Sequence, residues 1–410
     1  MKPLLSIIIP TKNRQYTAVF AVASALNIVS DQIEVVVQDC SDDNRLRDLL
    51  KATFNDEPRI KYFYSDIKPS LTENWNMAIS NTKGKYLIGI GDDDAVLSSC
   101  LEVAEWMNNL GIDNSLSMHI TYIWKDAYIG SISNSRLSFS NKISGEIYKV
   151  DLPTEINKKA LNCGFGYTED LPNVYHGIVL KSLFETHKKR CGYYLSSSSF
   201  DVYNAIVLSA YTDSFYYIDY PLTIRGVSGK SNANRIITKQ SHLHLQEFKE
   251  LYVPENLPKI FNSEVSIAES AIVALQDIGR DDLIEKMNIA IVFGKTAADN
   301  LSKSHIFFDQ YRKAKKHDKL TNRMFFSYFF SFLKDKYKAS IRNILLKVIF
   351  KIVPGADHTL GKFTARTRVK AKDISEASAI IQNHLLTHNH QIKFNEKILT
   401  LVSKKYKWEK

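Results

Sequence analysis

The first hundred residues alternate between short apolar runs and segments with helical spacing. Apolar runs at 4–10 (LLSIIIP), 33–39 (IEVVVQD) and 85–90 (KYLIGI) predict strands buried on both faces, and a run at 59–65 predicts another strand. The segments between them place apolar residues at three- and four-residue steps, which is typical of helices. The chain is therefore predicted to form an α/β fold, with a mostly parallel, Rossmann-like sheet and helices on both faces.

The pattern changes twice further along the chain. Residues 115–235 mix strand-like and helix-like runs, and SFYYIDYPLTIRG (214–226) predicts a final pair of strands. From about residue 240 the spacing is helical. We therefore expect three parts: an α/β domain over 1–238, a helical linker or subdomain over 239–302, and a basic helical region over 303–410.

Polar residues follow three of the predicted strands directly. These loops read PTKNR (10–14), DCSDDN (39–44) and GDDDA (91–95). The carboxyl ends of parallel strands meet at one edge of a sheet, and ligands bind beyond that edge. The three loops are therefore expected to form one site.

The third loop carries three consecutive aspartates, Asp92, Asp93 and Asp94, whose like charges repel each other. Their oxygens suit a hard cation such as Mg²⁺ or Mn²⁺, which can neutralise a diphosphate. An EF-hand calcium loop is excluded because its glycine and later glutamate are missing from the sequence. The structural alternative is that Asp94 caps a helix starting near Val96 while the other two lie in solvent.

Composition and charge indicate the number of domains, the cellular compartment and the kind of partner. Its 410 residues suggest two or three domains, and four scattered cysteines exclude a disulfide framework or a zinc cluster. The N-terminal apolar run is too short for a signal peptide, and no run approaches the roughly 18 apolar residues of a membrane span. We therefore expect a cytoplasmic protein. Residues 303–410 hold 24 Lys and Arg against 8 Asp and Glu, which points to an anionic partner.

Three segments together carry a family resemblance. SIIIPTKNR (6–14), EVVVQDCSDD (34–43) and NTKGKYLIGIGDDD (81–94) resemble glycosyltransferase family 2 in their order and spacing. The resemblance covers roughly residues 4–235. It implies a GT-A-type fold and an inverting enzyme that takes a sugar from a nucleotide-sugar donor, with a uridine nucleotide favoured.

The resemblance implies donor-binding roles on the first two loops. Asp39 matches the family's nucleoside-binding acidic residue, and Cys40 stands where the family often has a second aspartate. Asn74 lies in a stretch near the family's donor site, whereas Trp75 is expected to belong to the core. The nucleobase contacts are expected from the loop after the first strand, at Pro10, Thr11, Asn13 and Arg14.

The acidic triplet matches the family's Asp-x-Asp region, with Gly91 at the position that usually holds its first aspartate. By this register Asp93 and Asp94 are the expected ligands of Mn²⁺ or Mg²⁺. Asp92 is the expected contact to ribose or phosphate.

Inverting transfer needs one base, which removes the proton of the attacking acceptor hydroxyl. Asp201, in SSSSFDVYNAIVLS (196–209), opens a predicted helix as the family's base does, although a helix cap is the structural alternative. Glu169 and Asp170 are the other candidates, but they come too early in the chain.

Two further segments are assigned by the resemblance. His176 and Gly177, before a predicted strand, are expected to line the acceptor side. The segment PLTIRGVSGKSNA (221–233) looks like the family's flexible closing segment, so Arg225, Ser228 and Lys230 are expected to contact the donor phosphates.

The segment 323–353 is rich in aromatic and basic residues. Its second half repeats apolar residues at three- and four-residue steps, at Ile341, Leu345, Val348 and Ile352, with Lys338, Arg342 and Lys347 among them. One interpretation is packing on the body or on another subunit of a homo-oligomer. The other is peripheral contact with anionic lipid at the inner face of the cell membrane. The basic tail 402–410 fits either, and no nucleic-acid-binding module is present.

The sequence therefore predicts a metal-dependent inverting glycosyltransferase that acts on a glycan or lipid-linked acceptor of cell-surface polysaccharide. A nucleotidyltransferase on a similar sheet is one alternative, although PTKNR lacks the Gly-rich loop with Arg and Lys that such enzymes carry. A non-catalytic scaffold that binds nucleotide-sugar or membrane is the other.

Overall fold

The computed structural model describes residues 2–127, 135–231, 253–260, 262–315, 320–352, 366–394 and 399–400. The predicted helix at 241–252 and the basic tail at 402–410 lie outside the described residues. The strands are β1 (Leu5–Thr11), β2 (Ile33–Asp39), β3 (Ile60–Tyr64), β4 (Tyr86–Gly89), β5 (Ala95–Val96), β6 (Asn114–Ile123), β7 (Arg136–Ser140), β8 (Ile147–Lys149), β9 (Gly177–Leu180), β10 (Phe215–Val227), β11 (Arg366–Lys370) and β12 (Leu399–Thr400).

The α-helices occupy the connections and the C-terminal part. They are α1 (Gln15–Leu26), α2 (Arg45–Phe54), α3 (Leu71–Ser80), α4 (Ser99–Leu110), α5 (Leu152–Leu161), α6 (Tyr167–Asp170), α7 (Lys181–Cys191), α8 (Phe200–Tyr211), α9 (Ser263–Asp277), α10 (Asp281–Ile284), α11 (Ala290–Asp299), α12 (Ser304–Ala314), α13 (Asn322–Ile352) and α14 (Ile374–Thr387). None of the helices in the described ranges is both long enough and apolar enough to cross a membrane.

The strands form one sheet in the order β12-β8-β10-β6-β9-β4-β1-β2-β3. From β4 to β3 the neighbours are parallel, so these strands carry their carboxyl ends to one edge. Beyond β4 the sheet is mixed, because β9 runs antiparallel to both β4 and β6. Three short strands attach outside this path: β5 pairs with β10, β7 with β6, and β11 with β7.

The sheet has a hydrophobic core on each face. Alternate residues of β1 supply the two cores: Ile7 and Ile9 pack in one, Ile8 in the other. The first core receives apolar side chains of α1, α2 and α4, and the second receives those of α3, α8, α9 and α11. This explains why β1 and β2 are apolar without alternation, since both of their faces are buried. The α/β class predicted from the sequence is confirmed.

Two details differ from the predictions. The run 214–226 forms one long strand, β10, rather than a pair, because register shifts beside β6 let the strand pass Pro221 without a turn. The C-terminal region is mainly helical and also adds strands to the sheet, with β11 antiparallel to β7 and β12 parallel to β8. The hydroxyl of Tyr122 donates to the carbonyl of Ala371 at 3.0 Å, which ties this region to the sheet.

Candidate active site

The three loops at the carboxyl ends of the parallel strands meet in space. The last residues of β1 and β2, Thr11 and Asp39, are register partners. Thr11 Oγ1 donates to Asp92 Oδ2 at 2.6 Å, which joins the first loop to the third. The main-chain N–H of Asn13 donates to Ser41 Oγ at 2.7 Å, which joins the first loop to the second. The predicted convergence is therefore present.

Arg14 forms ion pairs with two aspartates of the acidic triplet, Asp92 and Asp93. Its Nη1 lies 2.7 Å from Asp92 Oδ1, and its Nη2 lies 2.6 Å from Asp93 Oδ2. Nη2 also donates to Ser228 Oγ at 2.7 Å, and the main-chain N–H of Ser228 donates to Asp93 Oδ2 at 3.0 Å. The segment that follows β10 thus closes over the triplet through Ser228.

Asp94 faces inward and is fully buried. Its Oδ1 accepts from the Gly226 N–H at 2.6 Å, and its Oδ2 accepts from the Gly91 N–H at 2.6 Å and from the Tyr175 hydroxyl at 2.9 Å. The helix-cap alternative for Asp94 is wrong, because α4 begins only at Ser99. Both of its oxygens hold the loop to its neighbours instead.

Two glycines make this packing possible. A β-carbon on Gly91 would come within 2.9 Å of Asp94 Oδ2 and 3.2 Å of Asp93 Oδ1. A β-carbon on Gly226 would lie 1.7 Å from the carbonyl oxygen of Asp93. A side chain at position 91 would therefore occupy the space of the carboxylates, and one at 226 would push β10 away from the triplet.

Burial dominates the electrostatics of the triplet. It raises the pKa of Asp92 to about 6, although the charge of Arg14 opposes the shift. Burial, and then the charge of Asp93, raises the pKa of Asp94 to about 7. Burial alone would lower the pKa of the Arg14 guanidinium, but Asp92, Asp93 and Asp94 raise it above its ordinary value. Arg14 is therefore a permanent counter-charge.

Tyr175 and His176 pack behind Asp94, with their rings 4.1 Å apart. His176 Nε2 lies 3.4 Å from Asp94 Oδ2, and His176 Nδ1 pairs with Thr223 Oγ1 at 2.9 Å. Burial, and then the charges of Arg225 and His119, lowers the pKa of His176 well below its usual range, so the imidazole is neutral. His176 is completely buried, which favours support of Asp94 over the predicted place on the acceptor side.

The second loop supplies a buried carboxylate. Asp39 accepts from the Tyr62 hydroxyl at 2.8 Å and from the Ser41 N–H at 2.8 Å, and it is fully buried. Burial, followed by the hydrogen bond to Asp39, raises the pKa of Tyr62, so this phenol stays a donor.

The helix α3 carries Asn74 and Trp75. A capping box fixes its start: Ser70 Oγ accepts from the Glu73 N–H at 3.2 Å, and Glu73 Oε2 accepts from the Ser70 N–H at 2.7 Å. Asn74 is buried, and within the described part of the chain its Oδ1 takes no hydrogen bond. Trp75 lies in the core, as predicted.

Asp201 lies in the first turn of α8 and differs from the triplet in its contacts. The Tyr167 hydroxyl donates to its Oδ2 at 3.4 Å, while among the described residues its Oδ1 is buried without a hydrogen-bond partner. Burial raises the pKa of Asp201 to about 6, opposed by the charge of Arg225. A carboxylate with a bare oxygen and a pKa near neutrality can accept a proton.

The rival base candidates give a contrast. Asp170 Oδ2 lies 2.9 Å from the ammonium of Lys159, so its carboxylate is already engaged in an ion pair. The side chain of Glu169 lies outside the described residues.

Aromatic side chains join Asp201 to the triplet. The Tyr175 ring lies 6.2 Å from that of Phe200, the residue before Asp201, and 6.0 Å from that of Trp75. Burial, and then the charges of Asp94, Asp93 and Asp201, raises the pKa of Tyr175 well above its usual value. Tyr175 therefore stays protonated between the two groups. Nothing in the sequence patterns singled it out, although it precedes His176 directly.

The other predicted site residues have plain positions. Pro10 is a buried residue of β1, and Gly177 is the first residue of β9. Arg225 lies on β10, and Lys230 Nζ donates to the carbonyl of Asn13 at 3.3 Å. Their donor and acceptor roles stay predictions, because no ligand contact defines them.

The chemistry of the triplet fits a hard cation. Arg14 already places positive charge between Asp92 and Asp93, and the described contacts of Asp93 use only Oδ2. Asp93 Oδ1 would therefore hold the ion, whereas both oxygens of Asp92 and both oxygens of Asp94, a predicted ligand, are engaged by internal donors.

A second group in the described ranges, made of other residues, could also hold an ion by geometry alone. The ligand atoms of His187, Cys191 and Asp277 lie within 4.8 Å of one another. The Tyr203 hydroxyl, however, bonds both His187 Nε2, at 2.7 Å, and Asp277 Oδ2. This polar network satisfies itself without a metal ion.

Comparison with known proteins finds a family match. Residues 6–163 match the model for "Glycosyl transferase family 2". This part of the chain is therefore similar to family 2 glycosyltransferases. The match spans the three loops and the acidic triplet, which are the segments that carried the sequence resemblance.

Two curated relatives match parts of this region. "Putative colanic acid biosynthesis glycosyl transferase WcaA" of Escherichia coli K12 is 39% identical over 93 residues, which are 22% of this chain and 33% of that protein. "GalNAc(5)-diNAcBac-PP-undecaprenol beta-1,3-glucosyltransferase" of Campylobacter jejuni is 27% identical over 158 residues, 38% of this chain and 47% of that protein. The chain thus spans a third to a half of the length of these relatives.

One solved structure with similarity is that of TarS residues 1–349 from S. aureus in complex with UDP-GlcNAc. It is 16% identical, with a TM-score of 0.44, over 76% of this chain and 90% of that one.

Proposed function

We propose that the chain transfers a sugar from a nucleotide-sugar, a uridine diphosphate sugar in the first instance, to a hydroxyl of a glycan or lipid-linked acceptor, with inversion at the anomeric carbon. One observation carries the proposal: Tyr175 lies between a cation-type acidic cluster, inside the part that matches family 2, and Asp201, a carboxylate outside that match whose Oδ1 has no hydrogen-bond partner among the described residues. The first group suits a diphosphate, and the second suits proton transfer.

The donor side is assigned to the strand-end loops. Asp39 would bind the nucleoside, with its orientation held by Tyr62 and Ser41. Arg14 would offer its guanidinium to the diphosphate, since it is already positioned by Asp92 and Asp93 at the front of the site. A Mg²⁺ or Mn²⁺ ion held by Asp93 Oδ1 would supply further positive charge to offset the diphosphate leaving group.

The acceptor step is assigned to Asp201. Its Oδ1 takes the proton of the acceptor hydroxyl as that oxygen forms a bond to the anomeric carbon. The bond between this carbon and the diphosphate oxygen breaks with its electron pair, and the nucleoside diphosphate leaves. One carboxylate suffices, because the leaving group needs no protein acid. Arg225 favours the charged form of Asp201 between turnovers.

The names of the relatives support the acceptor class. The Campylobacter protein is named for glucosyl transfer to an undecaprenol-linked glycan, and the Escherichia protein for colanic acid biosynthesis. We therefore propose a growing cell-surface glycan as the acceptor and the cytoplasm as the location.

The test is a thermal-shift screen of the full chain with nucleotide-sugars, each with and without Mn²⁺. A ligand that binds only the folded state raises the Tm. At a hundredfold excess over its Kd, it adds roughly 2.7 kcal/mol to the free energy of unfolding. We expect a uridine diphosphate sugar to give the largest shift, and Mn²⁺ to increase it. Consumption of that donor in the presence of Mn²⁺ then separates an enzyme from a binding scaffold. No shift with any nucleotide-sugar would contradict the proposal.

A further inference from the structure

The long helix α13 exposes an apolar stripe. Phe326, Phe330, Tyr337 and Ile341 are 41%, 61%, 71% and 42% exposed. At 3.6 residues per turn, their spacing places all four within about 60° of one another around the helix. The stripe extends about 22 Å along the helix axis. Four large apolar side chains in one exposed row are unusual on a soluble surface and mark an interaction site.

The opposite side of α13 packs against the rest of the fold. Phe325 is 2% exposed and packs in the core, with its ring 5.5 Å from that of Tyr311 on α12. Lys336 Nζ pairs with Asp299 of α11 at 2.6 Å. The fold therefore anchors α13 mainly through that side. Within the stripe, Phe326 also contacts Phe308 of α12, with the rings 4.9 Å apart, and Phe330, Tyr337 and Ile341 supply most of the exposed apolar surface.

The charges beside the stripe have one sign. Arg323, Lys334 and Lys338 are exposed and lie at its flank by helical spacing. The only acidic residue in the sequence of α13 is Asp335, roughly 150° away from the middle of the stripe. The surrounding region, 303–410, carries 24 basic against 8 acidic residues. An anionic surface is the complementary partner.

We propose that α13 docks on an anionic membrane surface. It would lie in the plane of the interface, with Phe326, Phe330, Tyr337 and Ile341 among the acyl chains and the basic flank on the lipid headgroups. The proposal goes beyond the glycosyl transfer proposed above and does not depend on it, since docking would hold even for a chain that transfers no sugar.

A second copy of the chain is the competing occupant. Two stripes placed face to face in an antiparallel pair would bring Arg323, Lys334 and Lys338 of both copies to the same side, with no acidic residue of α13 nearby to offset them. Like charges at such close range are unfavourable. The charge pattern therefore favours lipid over self-association.

The test is co-sedimentation of the full chain with vesicles at low and high salt. One set contains phosphatidylcholine alone, and the other contains about one third phosphatidylglycerol. We expect binding to the anionic vesicles, weakened by salt, and little binding to the neutral ones. Equal binding to both sets, or none to either, would overturn the proposal.

Variants locate the contact. The pair Phe330→Ser and Tyr337→Ser should weaken anionic binding by roughly tenfold or more, and the pair Lys334→Glu and Lys338→Glu by at least about fivefold for each lysine. The matched control is Leu386→Ser on α14, an 80% exposed apolar residue outside the stripe, which should leave binding unchanged. Transfer to a water-soluble acceptor should be unchanged in all of these variants.

Sedimentation velocity distinguishes membrane docking from self-association of the chain. The stripe variants should leave the sedimentation coefficient of the chain unaltered. If they convert a dimer to a monomer while vesicle binding persists, the stripe is a subunit interface and the membrane proposal is wrong.

Discussion

The acidic triplet and Asp201 are both withdrawn from water, yet they are held in opposite ways. Every aspartate of the triplet has internal partners: Arg14 and Thr11 for Asp92, Arg14 and Ser228 for Asp93, and main-chain N–H groups for Asp94. Asp201 has one weak partner, Tyr167, and a buried oxygen without any in the described part of the chain.

The difference separates two kinds of chemistry. Carboxylates held by internal donors are fixed in place and suit the recognition of charge. Burial raises the pKa of Asp92, Asp94 and Asp201 alike, so it is the unpaired oxygen of Asp201 that suits proton transfer. Four aspartates on one site thus divide into a binding group and a base, and each of the following predictions acts on one side of that division.

The largest effect is expected in the acidic triplet, from Asp93→Ala. The substitution removes the oxygen that joins Arg14 to Ser228, together with the open oxygen that suits a cation. Donor binding should weaken, and kcat/KM should fall by about a thousandfold. The Tm should change by only a few degrees. Asp43→Ala is the control, because Asp43 is an exposed carboxylate paired with Arg45 and should be silent. Full activity of Asp93→Ala would remove the triplet from the site.

A pH profile tests the protonation of Asp201, and it needs saturating donor because Asp92 and Asp94, with pKa values of about 6 and 7, titrate in the same range. Asp201 has a pKa of about 6, raised by burial, so it gains a proton as the pH falls through that value and can no longer act as a base. With donor and acceptor saturating, kcat should be flat above pH 7 and fall about tenfold per unit below about pH 6. A kcat that stays constant down to pH 4.5 would show that no such group limits transfer.

Alanine substitutions at Gly226 and Gly91 test how tightly the acidic triplet is packed. Gly226→Ala puts a β-carbon against the main chain of Asp93, which cannot yield without moving β10. Gly91→Ala meets mainly carboxylate and hydroxyl oxygens at 2.9–3.3 Å, which can shift. Gly226→Ala should lower the free energy of unfolding by about 1–3 kcal/mol, and Gly91→Ala by less. Urea denaturation measures both, and the reverse order would contradict this packing.

The smallest effect is expected from Tyr175→Phe. The variant keeps the ring between Trp75 and Phe200 but removes the hydroxyl that donates to Asp94. One donor lost from a buried carboxylate costs about 1–3 kcal/mol. We expect a modest loss of stability and up to about tenfold in kcat/KM, with donor specificity unchanged. Tyr216→Phe, on the other side of the sheet, is the matched control.

The sequence was sufficient for the parallel half of the sheet. Runs such as 4–10 and 33–39 are apolar at every position because two cores meet β1 and β2, so their burial could be predicted from pattern alone. The convergence of the three loops followed from the same topology, since it depends only on which strands are parallel.

The contacts made across long sequence distances could not be predicted. Tyr175 reaches Asp94 from 81 residues away, and no local pattern marks it. Ser228 was expected on the donor side, but its contact with Asp93, 135 residues away, could not be predicted. The inward orientation of Asp94 depends on Gly226, whose role appears only when β10 lies beside β5 and the triplet. The helix-cap interpretation failed for this reason, because it considered only the next element along the chain.

The central claim is that Asp201 is the base and the triplet is not. It is tested most directly by measuring donor binding and acceptor-dependent transfer in the same preparation of Asp201→Asn. The amide keeps the shape and the contact with Tyr167, so the Kd for donor should be unchanged while kcat falls by roughly 10²–10⁴-fold. Asp170→Asn, at the carboxylate paired with Lys159, should retain transfer. Full transfer by Asp201→Asn would contradict the account.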